Sequence, residues 1–204
     1  KIVPIGLIDL PSFYGSRGRS SSTSIDIAEL IGKLKKSDVK GLILDLRHNG
    51  GGLLSEAVKL TGLFIPQGPV VQVKDTTGRI KKHVDRDPKT VWDGPLMVLV
   101  SRYSASASEI VAGALQDHNR AIVMGTKSFG KGSVQSILPI GQEGAIRLTT
   151  ARYYTPSGRS IQALGVVPDI IVEQRPRVRE ESSDDKKERK RLTESDLRGA
   201  LAND

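Results

Sequence analysis

The segment Ser101–Glu109 (SRYSASASE) spaces serines 104, 106 and 108 with two alanines and closes on a glutamate. An apolar run, PLMVLV at 95–100, leads into it, and a small-residue helical pattern over Ala107–Leu115 follows. That order puts Ser106 at or beside a helix N-terminus, where unpaired N–H groups and the helix dipole favour developing negative charge. A nucleophilic serine in this position has the next residue's N–H, that of Ala107, available to the oxygen of an attacked carbonyl. The plainer reading makes the serines caps and small packing groups. One cap accounts for one serine, not for three around two alanines.

Such a nucleophile needs a base. Lys131 lies in SFGKGSVQ, framed by Gly130 and Gly132. A lysine works as a base near neutral pH only if its pKa falls by several units, and burial without a counter-charge does that. Small neighbours let the backbone close around it. Gln135, four residues on, can hydrogen-bond the amine without adding negative charge. A phosphate loop is the alternative for this segment, but GxxxxGK[ST] is absent, because Gly132 follows the lysine. The third element is Arg47–Gly52, RHNGGG. Three glycines after a buried strand can turn backbone N–H groups toward a ligand and supply a second donor to an oxyanion. A tight strand-to-helix turn would need only one or two of them.

The three histidines offer less. His83 falls in a charged hairpin and His118 after a helix end, where a C-terminal dipole suits it. His48 adjoins the glycine turn, so a Ser-His-Asp triad built on it stays open, although nothing positions its acid. Metal-ligand spacings such as HExxH are missing, and there is no cysteine, which removes thiolate chemistry, disulfides and cysteine metal sites together.

The elements that must carry these groups follow from hydrophobic patterning. Strands are expected over Lys1–Leu10, Val39–Leu46, Pro95–Val100, Ala121–Met124, Ser136–Ile140, Ala145–Tyr154 and Ile170–Val172. A hairpin is expected from Val70–Lys74 and Ile80–Val84 around Thr77-Gly78. Helices are expected over Ile25–Lys36, with Ser24 as N-cap, over Leu53–Phe64 and over Ala107–Leu115. Strand, Gly- or Ser-rich turn, helix thus recurs at Leu42–Phe64 and at Leu96–Leu115. Two such units predict an α/β layered domain with a largely parallel sheet, whose ligands sit at the carboxyl ends of the strands. Both turns fall there.

The chain has 204 residues, with 31 Lys/Arg against 23 Asp/Glu, a net charge of +8. Residues 175–204 hold 9 of those basic and 8 of the acidic residues, so the surplus belongs to residues 1–174. The domain reading is therefore a body over 1–174 and a charged linker over 175–204, in which Thr193–Leu201 can form a short capped helix that docks elsewhere. Aromatics make up 4% of the chain, and they are not interleaved with basic residues as in single-strand binders, which argues against nucleic acid. No run reaches the ~18–20 apolar residues of a membrane span. The chain opens on Lys1 without a leader, and is read as an excerpt or a processed form.

DLRHNGGG at 45–52, SASASE at 104–109 and FGKGSVQ at 129–135, followed by YYTPSGRS at 153–160 and GVVPDI at 165–170, together resemble the carboxy-terminal processing peptidases, or tail-specific proteases. The resemblance spans roughly residues 1–174. It implies Ser106 as nucleophile, Lys131 as general base and Gln135 as the residue orienting that lysine. It implies an oxyanion hole from the N–H of Ala107 and of Gly52, with Gly51 in reserve. The implied fold is the layered α/β core shared with Clp protease and crotonase-like enzymes. The implied activity is serine endopeptidase action on proteins with accessible, unstructured C-terminal tails, with no metal or organic cofactor. An adaptor or further copies of the chain would be the partners, and the periplasm or cell envelope the location. An acidic third member would fall on Asp117. On one helix, however, 11 residues from Ser106 put it ~16 Å along the axis, so a structural role is expected instead. The PDZ domain of about 90 residues that such enzymes use to capture a C-terminus by strand addition has no counterpart in this sequence. Two other readings keep the same residues: an inactive peptide-binding module that depends on a partner, and an acyl-CoA enzyme of the crotonase type, which leaves Lys131 and Gln135 unemployed.

Overall fold

A computed structural model describes residues 2–15, 22–141, 144–173 and 192–203. In chain order these form β1 (Ile5–Asp9), α1 (Thr23–Lys36), β2 (Gly41–Asp45), α2 (Leu54–Gly62), β3 (Gly68–Asp75), β4 (Ile80–Asp85), β5 (Leu96–Val100), α3 (Ala107–Asp117), β6 (Ile122–Gly125), β7 (Ser133–Ile140), β8 (Gly144–Tyr154) and β9 (Ile170–Ile171). A single 3₁₀ turn, Glu194–Asp196, follows.

The predicted parallel sheet is present, five strands in the order β1-β2-β5-β6-β9. From β1 to β6 the order advances in one direction only. Right-handed crossovers then deliver α1, α2 and α3 to the same face. That face carries the core: Ile8, Leu42, Leu44, Val98, Val100 and Val123 pack with Ile27 and Ile31 of α1, Ala57 and Leu60 of α2, and Ile110, Val111 and Ala114 of α3. The small residues of α3 have a use here, because they let this helix lie buried along its first nine residues. The opposite face shows Leu7, Ile122 and Ile170, each at least 42% exposed.

The second sheet was not foreseen. The hairpin β3–β4 and the hairpin β7–β8 join as an antiparallel sheet in the order β4-β3-β8-β7, with β3 pairing β8 at Gln72↔Tyr154 through Asp75↔Ala151. Each hairpin is written in its own alternation, but the pairing of β3 with β8 across some 80 residues has no local signature. Two boundaries also need correction. Helix α1 starts at Thr23 with Ser22 as N-cap, and Ser24 lies inside it, where its N–H and hydroxyl both donate to Glu56 Oε2 at 3.0 and 2.8 Å. Strand β7 starts at Ser133, so Gln135 lies on a strand and not in a loop.

In the C-terminal segment the capped helix shrinks to one turn. Thr193 N–H donates to Asp196 Oδ2 at 3.0 Å, and Leu197 is already extended. The linker expected over 175–191 falls outside the described residues.

Candidate active site

The register Asp45↔Leu99 sets the ends of β2 and β5 side by side, so the two turns that follow them meet. Asn49 does the joining. Its side chain is fully buried: Nδ2 donates to the Leu10 carbonyl and Oδ1 accepts from Gly51 N–H, both at 2.8 Å. Its own carbonyl accepts from Ala105 N–H at 3.1 Å and from the Ser108 hydroxyl at 2.8 Å. Ser104, also fully buried, donates to the Leu46 carbonyl at 2.7 Å and accepts from Ser101 N–H at 2.9 Å. The three serines therefore divide. Ser104 and Ser108 knit the two turns together, while Ser106 is partly exposed.

Ser106 carries φ 57° and ψ −113°. A left-handed conformation at a residue with a β-carbon costs ~1–3 kcal/mol and is held only by its surroundings. Here the holding group is Glu109, three residues on, whose Oε2 accepts from Ser106 N–H at 2.8 Å. That is half of a capping box, and S-x-x-E is its sequence signature. The fully buried carboxylate does more than cap the helix. Oε1 accepts from the Ser128 hydroxyl at 2.5 Å and from Gly130 N–H at 2.7 Å, and Oε2 from Lys131 N–H at 2.9 Å. One side chain thus ties the backbone of Ser106 to the backbone of Lys131. Burial pushes its pKa up to about 7, against the four donors, which pull it down.

The loop carrying Lys131 is built by close approach. A β-carbon on Gly132 would stand 2.3 Å from Gln162 N, and one on Gly130, at φ 95°, 3.1 Å from the Ala163 carbonyl carbon. Ala163 N–H donates to the Gly130 carbonyl at 2.8 Å, and Tyr153 N–H to that of Gly132 at 2.6 Å. The flanking glycines are there because the 161–165 segment lies against them. Lys131 is partly buried, and among the described residues no carboxylate forms an ion pair with its ammonium. Gln135 is exposed on β7, opposite Thr149.

The glycine turn supplies the other wall. Gly51 has φ 107°, and a β-carbon on it would stand 2.9 Å from Ser106 Cβ and 3.1 Å from Ala107 N. Its N–H is given to Asn49. Gly52, at φ 144°, backs onto the Phe13 carbonyl, 2.2 Å from a β-carbon placed there. Among the described residues neither Gly52 N–H nor Ala107 N–H has a partner within the chain. Asp45, nearly buried, anchors the start of this turn. Burial would raise its pKa, but Arg47, donating through Nε at 3.0 Å and Nη2 at 2.6 Å, outweighs that and holds it low.

Among the described residues no hydrogen bond joins a histidine to Ser106 or Lys131. His48 is exposed and stacks on Tyr103 with ring centroids 6.1 Å apart. His118 caps α3 and bonds the Pro69 carbonyl at 2.8 Å. His83 lies on β4, where partial burial and then Lys81 lower its pKa. Asp117 ends α3, accepting from Ser157 N–H at 2.8 Å and pairing with Arg159, which fixes the 155–159 turn. Arg120, three residues on, donates to the carbonyls of Phe64, Trp92 and Gly94. Among the described residues no cluster of His, Cys, Asp and Glu could hold a metal ion. Asn49, Glu109, Ser128 and Gln162 were not singled out from sequence, although the S-x-x-E spacing could have found Glu109.

Residues 4–172 match the model of peptidase family S41. The chain is 53% identical over 152 residues to a carboxy-terminal-processing protease of Bartonella bacilliformis, covering 72% of this chain and 34% of that protein. It is 44% identical over 174 residues to a tail-specific protease of Haemophilus influenzae, covering 81% and 24%. Among solved structures it is similar to a photosystem II D1 C-terminal processing protease, with a TM-score of 0.75 and 35% identity over 83% of this chain and 42% of the other. The chain therefore spans about a quarter to two-fifths of the length of these relatives. A strained serine and a lysine loop meet on one buried glutamate beside a glycine turn, within a sequence matched over residues 4–172, and the chain belongs to peptidase family S41.

Proposed function

We propose that this chain is the catalytic part of a serine endopeptidase in which Ser106 attacks a peptide carbonyl and Lys131 removes its proton. The observation that carries this reading is the Glu109 bridge, which holds the strained Ser106 and the Lys131 loop on one rigid carboxylate. Attack converts the carbonyl to an oxyanion, and the free N–H groups of Ala107 and Gly52 supply its donors. Gly51, its own N–H spent on Asn49, shapes the wall beside them. The protonated Lys131 then gives its proton to the leaving amine, and water enters to release the acyl group from Ser106. Gln135 orients the lysine amine from β7 as peptide binds.

The relatives' names, carboxy-terminal-processing protease and tail-specific protease, support a substrate cut at its C-terminal tail; the reading extends to tails that are unstructured and to an envelope location. No helix of the described residues is long and apolar enough to cross a membrane. Adaptors or further copies of the chain would deliver the substrate. Ser106→Ala should abolish cleavage of an unstructured protein tail, with the thermal transition kept within a few degrees. A Ser106→Ala variant that still cleaves would end this assignment.

A further inference from the structure

The residues that grip the Lys131 loop include one the chemistry does not use. Gln162 is fully buried, and its Oε1 accepts from Gly132 N–H at 3.0 Å. Its Nε2 donates at 3.1 Å to the carbonyl of Leu201, more than 30 residues downstream. At the other end of the same loop, the Phe129 carbonyl accepts from Glu194 N–H at 3.1 Å, and Phe129 N–H is bonded to the Ser104 carbonyl at 3.0 Å. The segment 192–203 therefore touches the lysine loop directly at Phe129, before Gly130-Lys131, and reaches Gly132, after it, through Gln162. Thr193 and Asp196 close the 3₁₀ turn of that segment upon itself, and Glu194 N–H is left to Phe129.

We propose that residues 192–203 are a strap that positions Lys131, and that Gln162 is the positioning residue coupling the strap to the base. This rests on the assignment of Lys131 as general base. A buried amide satisfied at both ends fixes its neighbours in register, whereas losing one partner leaves a buried polar group unanswered. Gly132 N–H reads whether Leu201 is docked, through the two ends of a single side chain. The strap needs no contact with substrate to act, so it should affect turnover and not binding. Leu201 also forms part of a cleft of about 410 Å³ walled by Lys74, Arg152 and Tyr154, and occupation of a substrate site by the segment is the opposite outcome that the experiment must separate.

The experiment replaces residues 192–203 with a Gly/Ser stretch of equal length in the full chain, beside Gln162→Glu, which keeps an oxygen for Gly132 N–H and loses the donor to Leu201. Amide hydrogen exchange is followed across 128–132, together with kcat and KM on an unstructured peptide. The strap predicts exchange at Gly130–Gly132 faster by about tenfold or more, as one lost hydrogen bond allows. It predicts kcat down by at least a similar factor with KM within twofold, and recovery of both on adding a peptide of sequence 192–203 to the replaced chain. Gln162→Glu should move both readouts in the same direction and should not respond to the peptide. Unchanged exchange in both variants overturns the strap. So does a rise in kcat/KM on replacement, with inhibition by the added peptide. If the intact chain cleaves nothing, the assignment of the base fails, and exchange alone still decides the strap.

Discussion

At the scale of single residues, Glu109 works against its own burial. The ionised carboxylate is the form that can accept from Ser106, Ser128, Gly130 and Lys131 together. Its pKa of about 7 means that a modest fall in pH protonates it. A protonated oxygen there must donate, yet three of its four neighbours are backbone N–H groups. Activity should therefore decline as pH falls through about 7. Glu109→Gln should lower kcat at least tenfold and flatten that acid limb, because the amide nitrogen turns a donor toward donors. A variant that keeps the wild-type limb would assign the titration elsewhere. Ser106 and Lys131 could be singled out from sequence because their neighbours, alanines and glycines, advertise unusual backbone. The S-x-x-E spacing marks Glu109 as a cap, but its hold on the Lys131 loop, like the role of Gln162, was not legible, since it acts on backbone groups brought from elsewhere in the chain.

Among the elements, the two strand-ending turns form one unit, with Asn49 as its pin. Removing its amide in Asn49→Ala leaves the Leu10 carbonyl and the Gly51 N–H unanswered in a site without water access, at a cost of about 2–4 kcal/mol. Chemical denaturation should show that loss, with the Ser108 and Ala105 ties to the Asn49 carbonyl intact. A cost below about 1 kcal/mol would mean that the turn holds without it. The parallel sheet and its three helices were legible because each strand–turn–helix unit is local and buried strands read as apolar runs. Ser24 as N-cap misled because Ser22, Thr23 and Ser24 are equivalent capping types, and the choice among them is made by Glu56, which takes Ser24 from α2. The β3–β8 pairing was not legible. Strand pairing at long separation is decided by which faces the rest of the fold leaves to be covered, and alternation alone does not record it.

Over the whole molecule, the titrations oppose one another. Asp45, Glu56 and Asp117 have pKa values held below their ordinary 3.8 and 4.5. In each, burial alone would raise the value, but hydrogen bonds from Arg47, from Ser24 and Lys59, and from Thr155, Ser157 and Arg159 prevail. Their contribution is present above those ordinary values and is lost as pH falls below them. Glu109 is raised, so its effect has the other sign. Stability is greatest while it is protonated and declines by about 3 kcal/mol as pH rises from 4.5 to about 7, after which the decline stops. A stability profile should accordingly peak in mildly acid solution, below the pH at which the site is competent. Glu109→Gln should remove the decline between 4.5 and 7. A profile still falling across that range in the variant would contradict the assignment.

On the proposed mechanism lysine, not histidine, activates the serine. This is tested most directly by kcat/KM on an unstructured peptide for Lys131→Ala and His48→Ala side by side, with thermal transitions confirming both folds. Lys131→Ala should lose at least a thousandfold, as expected when a general base for a serine is removed, while His48→Ala stays within about threefold of the parent. A Lys131→Ala enzyme retaining most of its rate, or a His48→Ala enzyme that loses it, would show that Lys131 is not the base.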